Sequence, residues 1–100
     1  MCLERYRAVV EAVDEALVLF GESVREVVYY YFEVKYGVKR HEIPVRLELL
    51  ADCLEEIFSY AAYVIERTVI EKLSSKLGVE LKSRSLRELV VELCEKRLLA

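Results

Sequence analysis

Apolar positions along this chain recur at helical intervals almost throughout. Leu3, Tyr6, Val10, Val13, Leu17 and Phe20 step by 3, 4, 3, 4 and 3 residues. That is a heptad seam, and it predicts a first helix ending near Gly21. Glu4, Arg7, Glu11, Asp14 and Glu15 fill the other side. The stretch VVYYYFEVKYG, Val27 to Gly37, holds four of the seven tyrosines, three of them consecutive. A half-buried strand would alternate apolar and polar residues, and this stretch does not. Wound at about 100° per residue, Val24, Val27, Val28, Tyr31 and Val34 gather on one side. Phe32 and Tyr30 flank that side, and Tyr29 and Tyr36 lie at its polar border. Only Arg25, Glu26 and Glu33 form a polar strip, while Lys35 must snorkel. A helix this apolar needs several partners to cover it. Ser23-Val24-Arg25-Glu26 reads as the capping box that opens it, and Gly37 as its end.

Val38 to Val45 is the one evident loop, with Lys39, Arg40, His41, Glu42 and the single proline, Pro44. The proline pushes Ile43 toward an extended conformation. A third helix follows, with Leu47, Leu50, Leu54 and Ile57 or Phe58 facing in. Ser59 is a candidate break. A fourth helix runs from about Tyr60 to Leu77, lined by Ala61, Ala62, Ile65, Val69, Leu73 and Leu77, and Gly78 ends it. Val79 to Lys82 alternates and suits a short extended piece. Ser85-Leu86-Arg87-Glu88 is a second capping box, opening a fifth helix with Leu86, Leu89, Val90, Leu93 and Cys94 inward.

Three segments together are distinctive: LFGESVREVVYYYFEVKYGV, then EIP, then LEEIFSYAAYVIERTVIEKLSSKLGV. They resemble a small all-helical archaeal family, the Nitrosopumilus output domain, over about residues 19–79. The likeness rests on the G-x-S start of the second helix, the YYYFE segment, the Ile43-Pro44 pair and the corner from Ile57-Phe58 to Ala61. Ser59 stands where the family pattern leads one to expect glycine. The resemblance implies an all-helical module that is free-standing or appended to sensory domains and passes on a signal. It implies no catalytic residues.

Composition narrows the picture. One hundred residues make a single helical domain, 1–100, with enough apolar material (55%) for a core and enough charge (33%) for a solvated surface. Asn, Gln and Trp are absent, a bias that suits a thermophilic source. Cys2, Cys53 and Cys94 form no CxxC pair and their number is odd, so free thiols and a cytoplasmic location are expected. Glu4, Arg5 and Arg7 follow Met1 at once, unlike a signal peptide. The longest charge-free run, Ile57 to Ile65, is too short to span a membrane.

Candidate chemistry is sparse. Tyrosines can stack bases, but stacking platforms come with cationic grooves. Here Glu26 and Glu33 adjoin the rings and the net charge is −3. The rings are therefore read as packing or subunit contacts, with Tyr29, Tyr30 and Tyr36 as amphipathic anchors. Lys76, Lys82, Arg84 and Arg87 surround the last connection and form the alternative, a helix-turn-helix-like nucleic-acid contact. The connection is long for that motif, and Glu71, Glu80 and Glu88 are interspersed. Glu48, Asp52 and Glu55 share one helix face, as do Glu88, Glu92 and Glu95, yet the Glu-x-x-His signature of helical metal sites is missing. Cys53 and Cys94 read as small buried hydrophobes. Phosphate loops, GxSxG and metal-spaced Cys/His sets are absent.

The expectation is an all-α, irregular bundle of four to five antiparallel helices around a single core. The apolar excess of the first two helices predicts a homodimer, or contact with another protein. The function expected is non-enzymatic: an interaction or signalling-output module without cofactor or metal. A pocket lined by tyrosines for a small apolar ligand is a weaker third option.

Overall fold

The computed structural model describes residues 2–99, the side chain of Cys2 lying outside that description. Two alanines decide how the bundle is built. The first helix, α1 (Cys2–Leu19), turns Val9, Ala12, Val13, Ala16 and Leu17 inward, all at most 1% exposed. Ala12 and Ala16 lie one turn apart, so a second backbone can approach closely along that line. The helix that uses the space is α4 (Ala62–Leu77), which buries Ala62, Ile65, Val69, Ile70 and Leu73. The contact between α1 and α4 is the most extensive helix pairing in the molecule. Each valine, leucine or isoleucine side chain so buried contributes roughly 1.5–3 kcal/mol.

The other elements close around this pair. Helix α2 (Glu22–Tyr36) packs on α1 and on α3 (Leu47–Phe58), and α5 (Leu86–Glu95) packs on α3 and α4. All five contribute to one apolar cluster, in which Phe32 is the largest fully buried side chain. The all-α bundle is therefore as expected, with five α-helices among the described residues. Short 3₁₀ turns, Arg40–Val45 and Ser59–Ala61, make two of the corners.

Helix ends follow the local chemistry. Gly37 and Gly78 take left-handed conformations, φ 69° and 66°, and the amide after each reaches back into the last turn, Val38 to the Phe32 carbonyl and Val79 to that of Ser74. Helix α5 ends the same way with Leu98 bonded to Leu93, but Arg97 fills the left-handed position at φ 57°. Ser59, which separates α3 from α4, sits at φ 54° and ψ −126°, territory that L residues rarely adopt.

Several local expectations are corrected. The Leu3–Phe20 seam is only partly the inner face of α1: Val13 and Leu17 are buried, but Leu3 and Phe20 are exposed, and the buried stripe is rotated toward the alanines. Ser23 does not cap α2; Gly21, at φ 124°, lets the helix begin at Glu22, and no side chain caps it. Ile43 is not extended, because the 3₁₀ turn closes with Arg46 N–H bonded to its carbonyl and buries both Ile43 and Pro44. Cys94 and Ala61 are exposed, since Leu86, Leu89 and Leu93 already fill the inner face of α5 and Ala62 that of α4. The second capping box holds in part. The Ser85 hydroxyl accepts from Glu88 N–H at 3.2 Å, but the Glu88 carboxylate takes the Arg84 amide instead of that of Ser85.

Candidate interaction surface

Two carboxylates fix the rotation of α2 about its axis. From α1, Asp14 accepts the Tyr29 hydroxyl at 3.1 Å and an Arg25 N–H at 3.4 Å, with Arg40 Nε 3.5 Å away. From α3, Glu56 accepts the Tyr36 hydroxyl at 2.5 Å and pairs with Lys35. The Tyr36 ring packs tilted on Phe32, centroids 5.7 Å apart. Lys35 also donates to the Tyr31 hydroxyl at 3.1 Å, its ammonium 5.4 Å from the ring centre.

The titrations follow from these contacts. Burial, and then the negative charge of Asp14, push the Tyr29 phenol well above its usual range. The hydrogen bond to Glu56, with some burial, raises Tyr36 to about 12. Lys35 and Tyr36 in turn hold the Glu56 carboxyl below its ordinary value. Both phenols stay neutral donors at any physiological pH, so they act here as tethers.

With the inner side of α2 occupied by Val28, Phe32, Tyr29 and Tyr36, the outer side is set. Val27, Tyr30 and Val34 recur at i, i+3 and i+7 on the far side of the helix, and are 53%, 71% and 66% exposed. The expected inner face of α2 is thus corrected: Val27 and Val34 look outward. Three rings bury more area than two valines, since an aromatic side chain covers roughly 150–250 Å². Val18 and Leu19, at the end of α1, and Phe20, in the turn that enters α2, are exposed as well. Of the three anchor tyrosines, the structure ties Tyr29 and Tyr36 to neighbouring helices and leaves Tyr30 free in the stripe.

The basic segment is divided. Lys76 reaches α1, 2.7 Å from Glu15 and 3.8 Å from Glu11. Arg87 reaches α3 and pairs with Asp52 and, at 2.6 Å, with Glu55. Lys82 and Arg84 are exposed and line a shallow cleft with Arg67 and Glu71. Two of the four cations are thus neutralised, and they serve different helices.

One functionally suggestive carboxylate, Glu66, escaped the sequence reading, and a second, Glu92, was read there only as one of three carboxylates on a helix face. Glu66 is 1% exposed; one oxygen accepts the Leu86 amide at 2.8 Å at the start of α5, and the other has no partner. Burial raises its affinity for a proton. Its place between Ala62 and Ile70 on the apolar stripe of α4 was the available signal. Glu92 accepts the Lys82 and Ser83 amides, the Ser83 hydroxyl and the Lys96 ammonium. Partial burial works to raise its pKa, but these donors outweigh burial and hold it at about 2. Cys53 is buried, and that pushes its thiol to about 12. Among the described residues no three His, Cys, Asp or Glu side chains converge to hold a metal ion. No described helix is long and apolar enough to cross a membrane.

Comparison with protein-family models, with curated proteins and with solved structures finds no match to this chain.

Proposed function

We propose that this protein is a non-enzymatic association module that works through the outer face of α2, first of all as a homodimer. The observation that carries the reading is the Val27–Tyr30–Val34 stripe, apolar and outward on a helix whose inner side is already satisfied. Exposed apolar faces of this kind mark protein contacts, and tyrosine suits them because its hydroxyl can remain hydrated. The likeness to output domains, which implies passing a signal between proteins, agrees with it. Free thiols at Cys53 and Cys94 support a cytoplasmic setting.

Size sets the expected strength. A helix of 15 residues is about 22 Å long, so one face offers a few hundred Å², short of the ~800 Å² per partner of a stable dimer. Association should therefore be reversible and of order micromolar. Light scattering over a concentration series of about 1 µM to 1 mM tests it. The wild type is expected to pass from monomer to dimer. A chain carrying Tyr30→Glu and Val34→Glu is expected to stay monomeric with its helical content unchanged. A wild type that is monomeric at every concentration removes the homodimer reading, and a dimer indifferent to both changes moves the contact elsewhere.

A further inference from the structure

We infer that the groove between the start of α3, α5 and the chain's last described residues binds a small aliphatic monocarboxylate. The groove holds about 440 Å³, and no residue of α2 lines it, so it is separate from the proposed association face. That volume falls within the roughly 300–1,000 Å³ of ordinary ligand pockets. Its floor is Pro44, Leu47, Leu93 and Leu99, all buried and all aliphatic. Such a floor offers a ligand's body no hydrogen bond, so a polar sugar or nucleoside would be desolvated there without compensation. Tyr6 is the only aromatic ring among the described lining residues, which favours an alkyl body over a stacked aromatic one.

The mouth chooses the head group. Arg46 and Glu48 both line it and both are exposed. Among the described residues the Arg46 guanidinium forms no ion pair and donates only to the neighbouring Val45 carbonyl, at 3.1 Å. Its guanidinium is thus open to a carboxylate, which matches it in a two-pronged arrangement. The positive end of the α3 dipole lies on the same side. Glu48 leaves the mouth with one charge of each sign. A doubly charged phosphate is disfavoured beside it, while a singly charged carboxylate is tolerated. Alkyl body and single negative head together define the ligand class.

The test uses the full chain carrying Cys2→Ser and three probes with one tail: decanoate, decanol and decyltrimethylammonium, each below its micelle concentration. Calorimetry is expected to show decanoate bound one to one with a Kd of order 10–100 µM. Decanol should bind about tenfold more weakly and the cation more weakly still, since one charge-assisted contact is worth about that factor. Arg46→Glu should remove the preference for decanoate over decanol. Val90→Trp should fill the groove and abolish binding. Because Val90 is half-buried and its replacement could misfold, a bulky maleimide on exposed Cys94 gives a second block. Equal affinity for the three heads, or binding that survives both blocks, overturns the proposal. So does a wild type that ignores decanoate, or a tryptophan variant whose only change is its oligomeric state, which would make the groove a contact between copies.

Discussion

Replacing Ser59 with glycine is expected to stabilise the protein by about 1 kcal/mol. Ser59 sits at φ 54° and ψ −126°. Holding an L residue in so sparsely populated a region costs on the order of 1–3 kcal/mol. Glycine relieves that strain but has a looser unfolded chain, which takes back roughly 0.5–1 kcal/mol. The serine side chain is exposed and makes no hydrogen bond among the described residues, so its removal sacrifices nothing in the fold. The balance is a net gain near 1 kcal/mol, or about 4–8 °C in Tm for a domain of this size.

Urea unfolding followed by circular dichroism measures the change directly, because the midpoint shifts while the slope stays fixed. Ser59→Ala is the necessary control. It keeps Cβ, hence the strain, and is expected to lie within about 0.5 kcal/mol of wild type. Ser59→Val should be worse than either, since a branched Cβ tolerates this region least. If alanine stabilises as much as glycine, or if glycine destabilises, the corner is not strained and the reasoning fails.

Four further outcomes are expected. Glu92→Gln should cost about 1.5–3 kcal/mol, the range for hydrogen bonds to a charged group, by chemical denaturation at pH 7. The folded pKa of Glu92, about 2, lies below its unfolded value, so its stabilisation is present above about pH 4.3 and is lost as pH falls toward 2. Glu66 has the opposite sign: its raised pKa gives stability that is full below about pH 4.3 and is lost as pH rises through the folded value. Glu66→Gln should therefore flatten the stability profile above about pH 4.3 and be no less stable than wild type at pH 7; a loss above about 1 kcal/mol there contradicts this. Tyr29→Phe should cost about 0.5–1.5 kcal/mol through the lost bond to Asp14, whereas Tyr30→Phe should leave stability unchanged, as paired melts would record. In the native state a thiol reagent should modify Cys94 rapidly and Cys53 only on unfolding, which mass spectrometry after a timed pulse resolves.

Helix number and most helix ends could be read from the sequence because they depend on neighbours in the chain. Apolar spacing near 3.6, Gly37, Gly78 and the Ser85 cap are local signals, and the structure uses each of them. The rotation of each helix was less legible. On α1 the large side chains at Leu3 and Phe20 lost to Ala12 and Ala16, because closeness to α4 rewards small residues. On α2 Val27 and Val34 lost to Tyr29, Tyr36 and Phe32, because Asp14 and Glu56 satisfy the phenols from helices 15 and 20 residues away in sequence. The roles of Glu66 and Glu92 depend on amides 20 and 10 residues distant, so neither could be derived from local spacing.

That rotation bears on function more than the helix itself does. The tethers at Asp14 and Glu56 hold α2 from both sides, and polar residues at positions 27, 30 and 34 would leave every one of those bonds intact. Folding therefore does not require Val27, Tyr30 and Val34 to be apolar, and solubility argues against it. On the association reading proposed above, a partner surface would supply the missing reason, because burial against it returns roughly 25 cal/mol per Å² of apolar area. The same logic separates the roles of the tyrosines. Substitutions at Tyr29 and Tyr36 should lower stability and weaken association only through loss of fold. Substitution at Tyr30 should weaken association alone. If Tyr30→Ala shifts the melting midpoint and leaves self-association untouched, the stripe is ordinary surface and α2 has no outward task.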